Sequence, residues 1–248
     1  MMRSKLSSRN SARRVLLFSL LLLVFSGCES NIEPTYKEKD IPYLVKNICK
    51  NEYGLDVTTQ RTNTTLWIYA PLSKILHKEY GVKEDKVFDE EIGEKLRNIL
   101  TTVGRVLISA DNTPEFFALL ASDVNLGLDY SIIGNVLDIK KSYAGFLPWT
   151  ESNRRYVIRF TLASDATNDQ SGKHMKIYDV TLSDFLAEQI AQRIGAHFQG
   201  EELRKYFKVE RSEGIFNQGT FIFRYAIKLT TEMKTPLDIQ LEILKIIL

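Results

Sequence analysis

The chain has 248 residues, 44% hydrophobic and 26% charged, a globular balance rather than a disordered or membrane-filling one. Its formal charge of +2 hides an asymmetry: Arg3, Lys5, Arg9, Arg13 and Arg14 are cations with no acid among residues 1–27, so the rest carries 28 basic against 31 acidic groups. A near-neutral body lacks the basic footprint of a nucleic-acid binder, and two cysteines are too few for a disulfide framework.

Behind the basic stretch, Val15 to Phe25 is an apolar run interrupted only by Ser19, followed by Ser26, Gly27 and Cys28. This is the layout of a secretory signal peptide. The run is shorter than the roughly 20 residues a membrane span needs. The residues Phe25-Ser26-Gly27-Cys28 resemble the lipobox of bacterial lipoproteins, with Phe25 where that family usually has Leu, Val or Ile. The resemblance implies a cut before Cys28, with Ser26 and Gly27 flanking it, and a diacylglycerol on the cysteine thiol. Two acyl chains are enough for a stable anchor. The protein is then expected in the cell envelope, outside the cytoplasm, on either the inner or the outer membrane. The resemblance covers the leader alone. Residues 28–40 are mostly polar and read as a tether, reaching at most about 40 Å when extended.

In chain order, Ile41 to Asn51 is expected as a helix, since Leu44, Val45, Ile48 and Cys49 share its face. Cys49 fits there as a small buried hydrophobe. Val57–Arg61 and Thr64–Ala70 read as a hairpin around Thr62-Asn63, with Pro71 stopping the second strand. A charged loop over 83–89 follows. Ile92, Leu96, Ile99, Leu100, Val103 and Leu107 then recur at three and four, predicting an amphipathic helix. Phe116 to Val124 is expected as a buried strand closed by Asn125-Leu126-Gly127. Tyr130 to Tyr143 is ambiguous between strand and helix; its broad apolar face favours helix. Arg155 to Ala163 reads as a strand, 164–173 as a loop and His174 to Val180 as extended. Leu182, Phe185, Leu186, Ile190, Ile194 and Phe198 mark a second amphipathic helix.

The remainder resembles a partial copy of the opening unit: strands at Tyr206–Arg211 and Thr220–Leu229 around Gly214 to Gly219, then a segment begun by Thr235-Pro236. Helix is favoured there over the strand that alternating Leu237, Ile239, Leu241 and Ile243 would make. The chain stops in apolar sequence, which predicts a truncated product or a C-terminus buried against the first domain. The expectation is an α+β protein: a two-layer helix-on-sheet domain over 41–202, then a partial strand-strand-helix unit over 203–248.

Chemical motifs are few. Around His77, His174 and His197 neither HExxH nor paired cysteines occur, so no metal is expected. Asp165, Asn168, Asp169 and Gly172 offer oxygen ligands but not EF-hand spacing. No nucleophile elbow, phosphate loop or dinucleotide fingerprint appears, so no catalytic residue or cofactor is assigned. The segment Tyr143-Ala-Gly-Phe146-Leu-Pro-Trp149 carries three aromatics beside basic pairs, and Tyr143, Phe146 and Trp149 are the candidate partner contact. The leading expectation is a lipid-anchored, non-enzymatic binding or scaffold module for an envelope protein or polymer. The alternative is a surface-anchored hydrolase of glycan or peptide, which would hold two acids, or an acid and His174, close together with shifted pKa values.

Overall fold

A computed structural model of the protein describes residues 34–76, 88–200 and 207–229. The leader with Ser26, Gly27 and Cys28, most of the 83–89 loop, His77 and the segment after 230 lie outside the described residues.

The chain enters through α1 (Ile41–Tyr53). Pro42 sits in its first turn, and Gly54, at φ +67, closes it by donating its N–H to Lys50 O. A hairpin follows, β1 (Thr58–Arg61) against β2 (Thr65–Leu72), before α2 (Glu90–Ile108). The Asp89 carboxylate accepts from Glu91 N at the start of α2, and the acids Glu90 and Glu91 favour the positive end of the helix. Strand β3 (Phe116–Asp123) lies parallel to β2; β4 (Leu128–Asn135) and β5 (Val157–Leu162) add antiparallel. The result is one mixed sheet in the order β1-β2-β3-β4-β5 within an α+β fold.

Two expectations need correction here. Pro71 does not stop β2, which runs on to Leu72 with Pro71 opposite Ser122. Leu72 O accepts from Val124 N, so it faces β3, and by strand alternation the Pro71 nitrogen faces the other side. There β1 has already ended, its last pair being Thr58 with Tyr69, and no donor is needed. The segment Tyr130 to Tyr143 is not one helix: β4 continues to Asn135, and α3 (Val136–Tyr143) begins with Asn135 Oδ1 accepting from Leu137 N at 2.8 Å. The strand is buried on both faces, which gives it an apolar run without clean alternation. Helix α4 (Trp149–Arg154) leads into β5.

The sheet has two covered faces. Leu66, Ile68, Phe117, Leu119 and Ile132 pack against α1 and α2. On the other face Trp67, Phe116, Ala118 and Ile133 meet Val180 and Phe185, the latter on α5 (Leu182–Phe198). The intervening segment 163–181 crosses this face and is pinned at both ends. Near its end, Asp179 accepts from Thr64 N at 2.9 Å and from the hydroxyls of Thr62 and Thr64. Trp67 donates its indole N–H to Tyr178 O at 2.9 Å.

Helix α5 also guards the edge of β5. Gln192 accepts from Ile158 N at 3.0 Å and donates to Ile158 O at 2.7 Å, as a neighbouring strand would. Beyond it, β6 (Phe207–Asn217) and β7 (Thr220–Leu229) form a hairpin packed on α5 through Ile194, Phe198 and Val209. Strand β6 runs through Gly214, so the turn is shorter than expected: Gln218 and Gly219, both at positive φ, reverse the chain.

Candidate functional site

Two sites emerge, one on each face of the five-stranded sheet. The first is a cavity of about 520 Å³ between α2 and the β4–β5 side of the sheet. It exists because of arithmetic: strands lie about 4.8 Å apart and helices about 10 Å, so two helices cover about four strands. The face of β5 is left over, and Ile158, Phe160 and Leu162 on it are exposed, Leu162 to 83%.

The cavity walls are aromatic and aliphatic. Tyr130 and Ile132 come from β4, Leu96 and Leu100 from α2, and Tyr156 and Ile158 from the β5 approach. Tyr143 and Trp149, ending α3 and starting α4, close it with rings 4.9 Å apart in a T-shaped pair. Gly104 admits this closure, because a Cβ there would stand 3.0 Å from the Tyr143 hydroxyl. Burial pushes the Tyr130 phenol up to about 12 and raises those of Tyr143 and Tyr156 as well. All three therefore stay neutral hydroxyl donors at any physiological pH.

Of the three expected contact residues, the structure joins two and separates the third. Tyr143 and Trp149 line the cavity, whereas Phe146 projects from the intervening turn, 84% exposed. Sequence reasoning missed the other walls because they arrive from a helix and two strands. Reading Tyr130 to Tyr143 as helix also removed Tyr130 and Ile132 from the sheet.

The second site is a buried ionic cluster around His174, whose side chain is 5% exposed. Its Nδ1 lies 2.7 Å from Asp169 Oδ2 and its Nε2 3.2 Å from Asp129 Oδ2. Burial lowers the imidazole pKa, but the hydrogen bond it donates to Asp169 and the charge of Asp129 outweigh it and the net shift is upward. Asp169 moves the other way: burial raises it, while bonds from His174 and Ser171 bring it well below the usual carboxylate range. Tyr69 donates its hydroxyl to Asp169 O, and its ring packs on Gly172 so closely that a Cβ would fall 2.7 Å from Tyr69 Cγ. Gly172 also holds φ +75, so only glycine suits the position.

With Ser122 Oγ 3.5 Å from His174 Nε2, the cluster has the composition of a hydrolytic triad. Its wiring differs. Ser122 is fully buried and gives its hydroxyl proton to Asp129, which also lies nearer to the imidazole than the serine does. Both imidazole nitrogens face carboxylates and the pKa is raised, which favours the protonated ring, and that form has no free lone pair to take a proton from the serine. Asp169, an oxygen-ligand candidate for a cation, is instead committed to Ser171 N, Gly172 N and His174.

Cys49 is fully buried on α1 and its thiol pKa is raised, first by burial, as suits a packed core residue. No described helix is long and apolar enough to cross a membrane. The chain matches no protein-family model, no curated protein and no solved structure.

Proposed function

We propose that the protein is a lipid-anchored, non-enzymatic binding module of the cell envelope, held by lipid on Cys28 and binding an apolar ligand in the aromatic cavity. The observation that carries the binding reading is the cavity itself. At about 520 Å³ it falls within the range of small-molecule pockets, about 300–1,000 Å³, and it has their mostly apolar walls and few polar groups. The anchor rests on the leader resemblance, and the tether then sets the cavity within reach of a membrane surface.

Photo-crosslinking in intact cells, followed by mass spectrometry of both small molecules and proteins bound to the tagged chain, tests this. Trp149→Ala removes a wall of the cavity and should weaken retention of the ligand by about ten-fold to a hundred-fold, the effect of losing about 1.5–3 kcal/mol of buried apolar contact. Phe146→Ala, outside the cavity, should change little. If Phe146→Ala abolishes capture of a protein while Trp149→Ala does not, the recognition surface is the exposed turn and the cavity reading fails. Cys28→Ser should move the protein out of the membrane fraction.

One observation favours the hydrolase reading: His174 lies between two acids, and the pKa values of His174 and Asp169 are shifted. Their burial and the wiring of Ser122 favour a structural role. Hydrolysis of envelope glycan or peptide abolished by Ser122→Ala in a stably folded protein would reverse that preference.

A further inference from the structure

We infer that the cavity takes a single-chain anionic amphiphile, with its acid group held by Arg97 and its tail running toward Trp149. This deepens the binding reading above and rests on it. The cavity follows α2 from Gly93 to Gly104, eleven steps of 1.5 Å, or about 16 Å. At about 1.25 Å of advance per carbon, 16 Å accommodates about twelve carbons. A chain of about twelve heavy atoms takes about 360 Å³ at about 30 Å³ per atom, the share of a water molecule in the liquid, and two such chains about 720 Å³. One polymethylene chain therefore fits the cavity of about 520 Å³, whereas two do not.

The polarity of the channel is set by charge. Among the described residues that line it, Arg97 is the one with a charged side chain. The other basic residues of α2 are paired, Lys95 with Glu91 at 2.6 Å and Arg105 with Glu52 at 2.6 Å. Arg97 makes no ion pair among the described residues. It lies one turn from the Gly93 end, and helical side chains tilt toward the helix N-terminus, so its guanidinium serves that end. A guanidinium binds carboxylate or phosphate through two parallel N–H donors, which a neutral head group cannot match. The opposite end is closed by Tyr143 and Trp149 against Gly104, an apolar stop for a chain terminus.

Trp149 is also the reporter. The only other tryptophan, Trp67, lies on the far face of the sheet with its N–H bonded to Tyr178 O, and gives a constant background. The Cys28→Ser protein, which cannot carry its own acyl chains, is titrated with dodecanoate and with dodecanol while tryptophan emission is followed. Dodecanoate should give a saturable emission change, with dodecanol about five-fold weaker, and Arg97→Gln should bring dodecanoate to the level of the alcohol. Equal affinities for acid and alcohol, unchanged by Arg97→Gln, would overturn the head-group assignment and leave the cavity reading standing. Binding of neither would remove both. Sedimentation with phosphatidylglycerol and phosphatidylcholine vesicles separates the sources. Arg97-dependent pelleting with the anionic vesicles alone would overturn the single-chain assignment, since phosphatidylglycerol carries two chains, and dodecanoate binding without pelleting supports a free single-chain acid.

Discussion

A His174→Ala protein should lose about 3 kcal/mol of unfolding free energy near neutral pH, because a buried carboxylate is left without its cation. The two acids do not suffer equally. Asp169 still accepts from Ser171 N, Gly172 N and the backbone N of residue 174, so it stays satisfied. Asp129, 11% exposed, keeps only the Ser122 hydroxyl among the described residues. Most of the loss therefore belongs to Asp129, and adding Asp129→Asn should recover part of it by removing the orphaned charge. Denaturant titration of the two variants decides. A double variant no more stable than His174→Ala would mean that lost packing, not charge, explains the defect.

The same cluster predicts how stability follows pH. Folding raises the His174 pKa, so its contribution is complete below the unfolded value of about 6.5 and is lost as pH rises through the folded value. Folding lowers the Asp169 pKa, so its contribution is present above about 3.9 and is lost as pH falls through the depressed value. Both are in force between about pH 4 and 6.5. The difference in melting temperature between the wild type and His174→Ala should be widest in that window and narrow on the alkaline side. A difference that stays level from about pH 5 to 9 would show that the buried imidazole is neutral.

What could be read from the sequence was local, and what escaped depended on partners far along the chain. The starts of α1, α2 and α5 carry their own signals, Pro42, Asp89 and Thr181, and those helices fall where periodicity places them. Asn135 is a helix cap of the same kind, but it stands inside an apolar run whose residues face both sides of the sheet alternately, and a broad helical face looks the same. Pro71 misleads for a related reason: whether a strand tolerates proline depends on where the neighbouring strand ends. His174 meets Asp169 across five residues but Asp129 across 45, and no spacing rule connects the latter pair. A partial hint was present in Asp169-Gln-Ser-Gly172, a turn able to aim one carboxylate at the following residues. Of the cavity, only Tyr143 and Trp149 were visible as a site, because the walls they meet arrive from α2, β4 and β5.

Gly214→Ala tests whether the β6–β7 hairpin depends on its seat against α5. A Cβ at Gly214 would lie 1.9 Å from Ala187 O and 2.8 Å from Glu188 N, both backbone atoms of α5 that cannot turn aside. The strand must therefore move away by more than an ångström, opening the cluster of Ile194, Phe198 and Val209. It also pulls on Glu188, whose pKa is raised by burial despite the attraction of Arg159 and a bond from the Gly214 amide. Steric overpacking of this kind costs about 1–3 kcal/mol or more, here concentrated on hairpin docking. Limited proteolysis should cut the variant within 207–229 well before the five-stranded body, whose unfolding should be nearly unchanged. Gly219→Ala provides the contrast. Gly219 has φ +80 and nothing within 4 Å, so its substitution strains the turn by about 1 kcal/mol without displacing the strand. Early cleavage in both variants would mean that turn conformation governs the hairpin. Early cleavage in neither would mean that the close approach of β6 to α5 is dispensable.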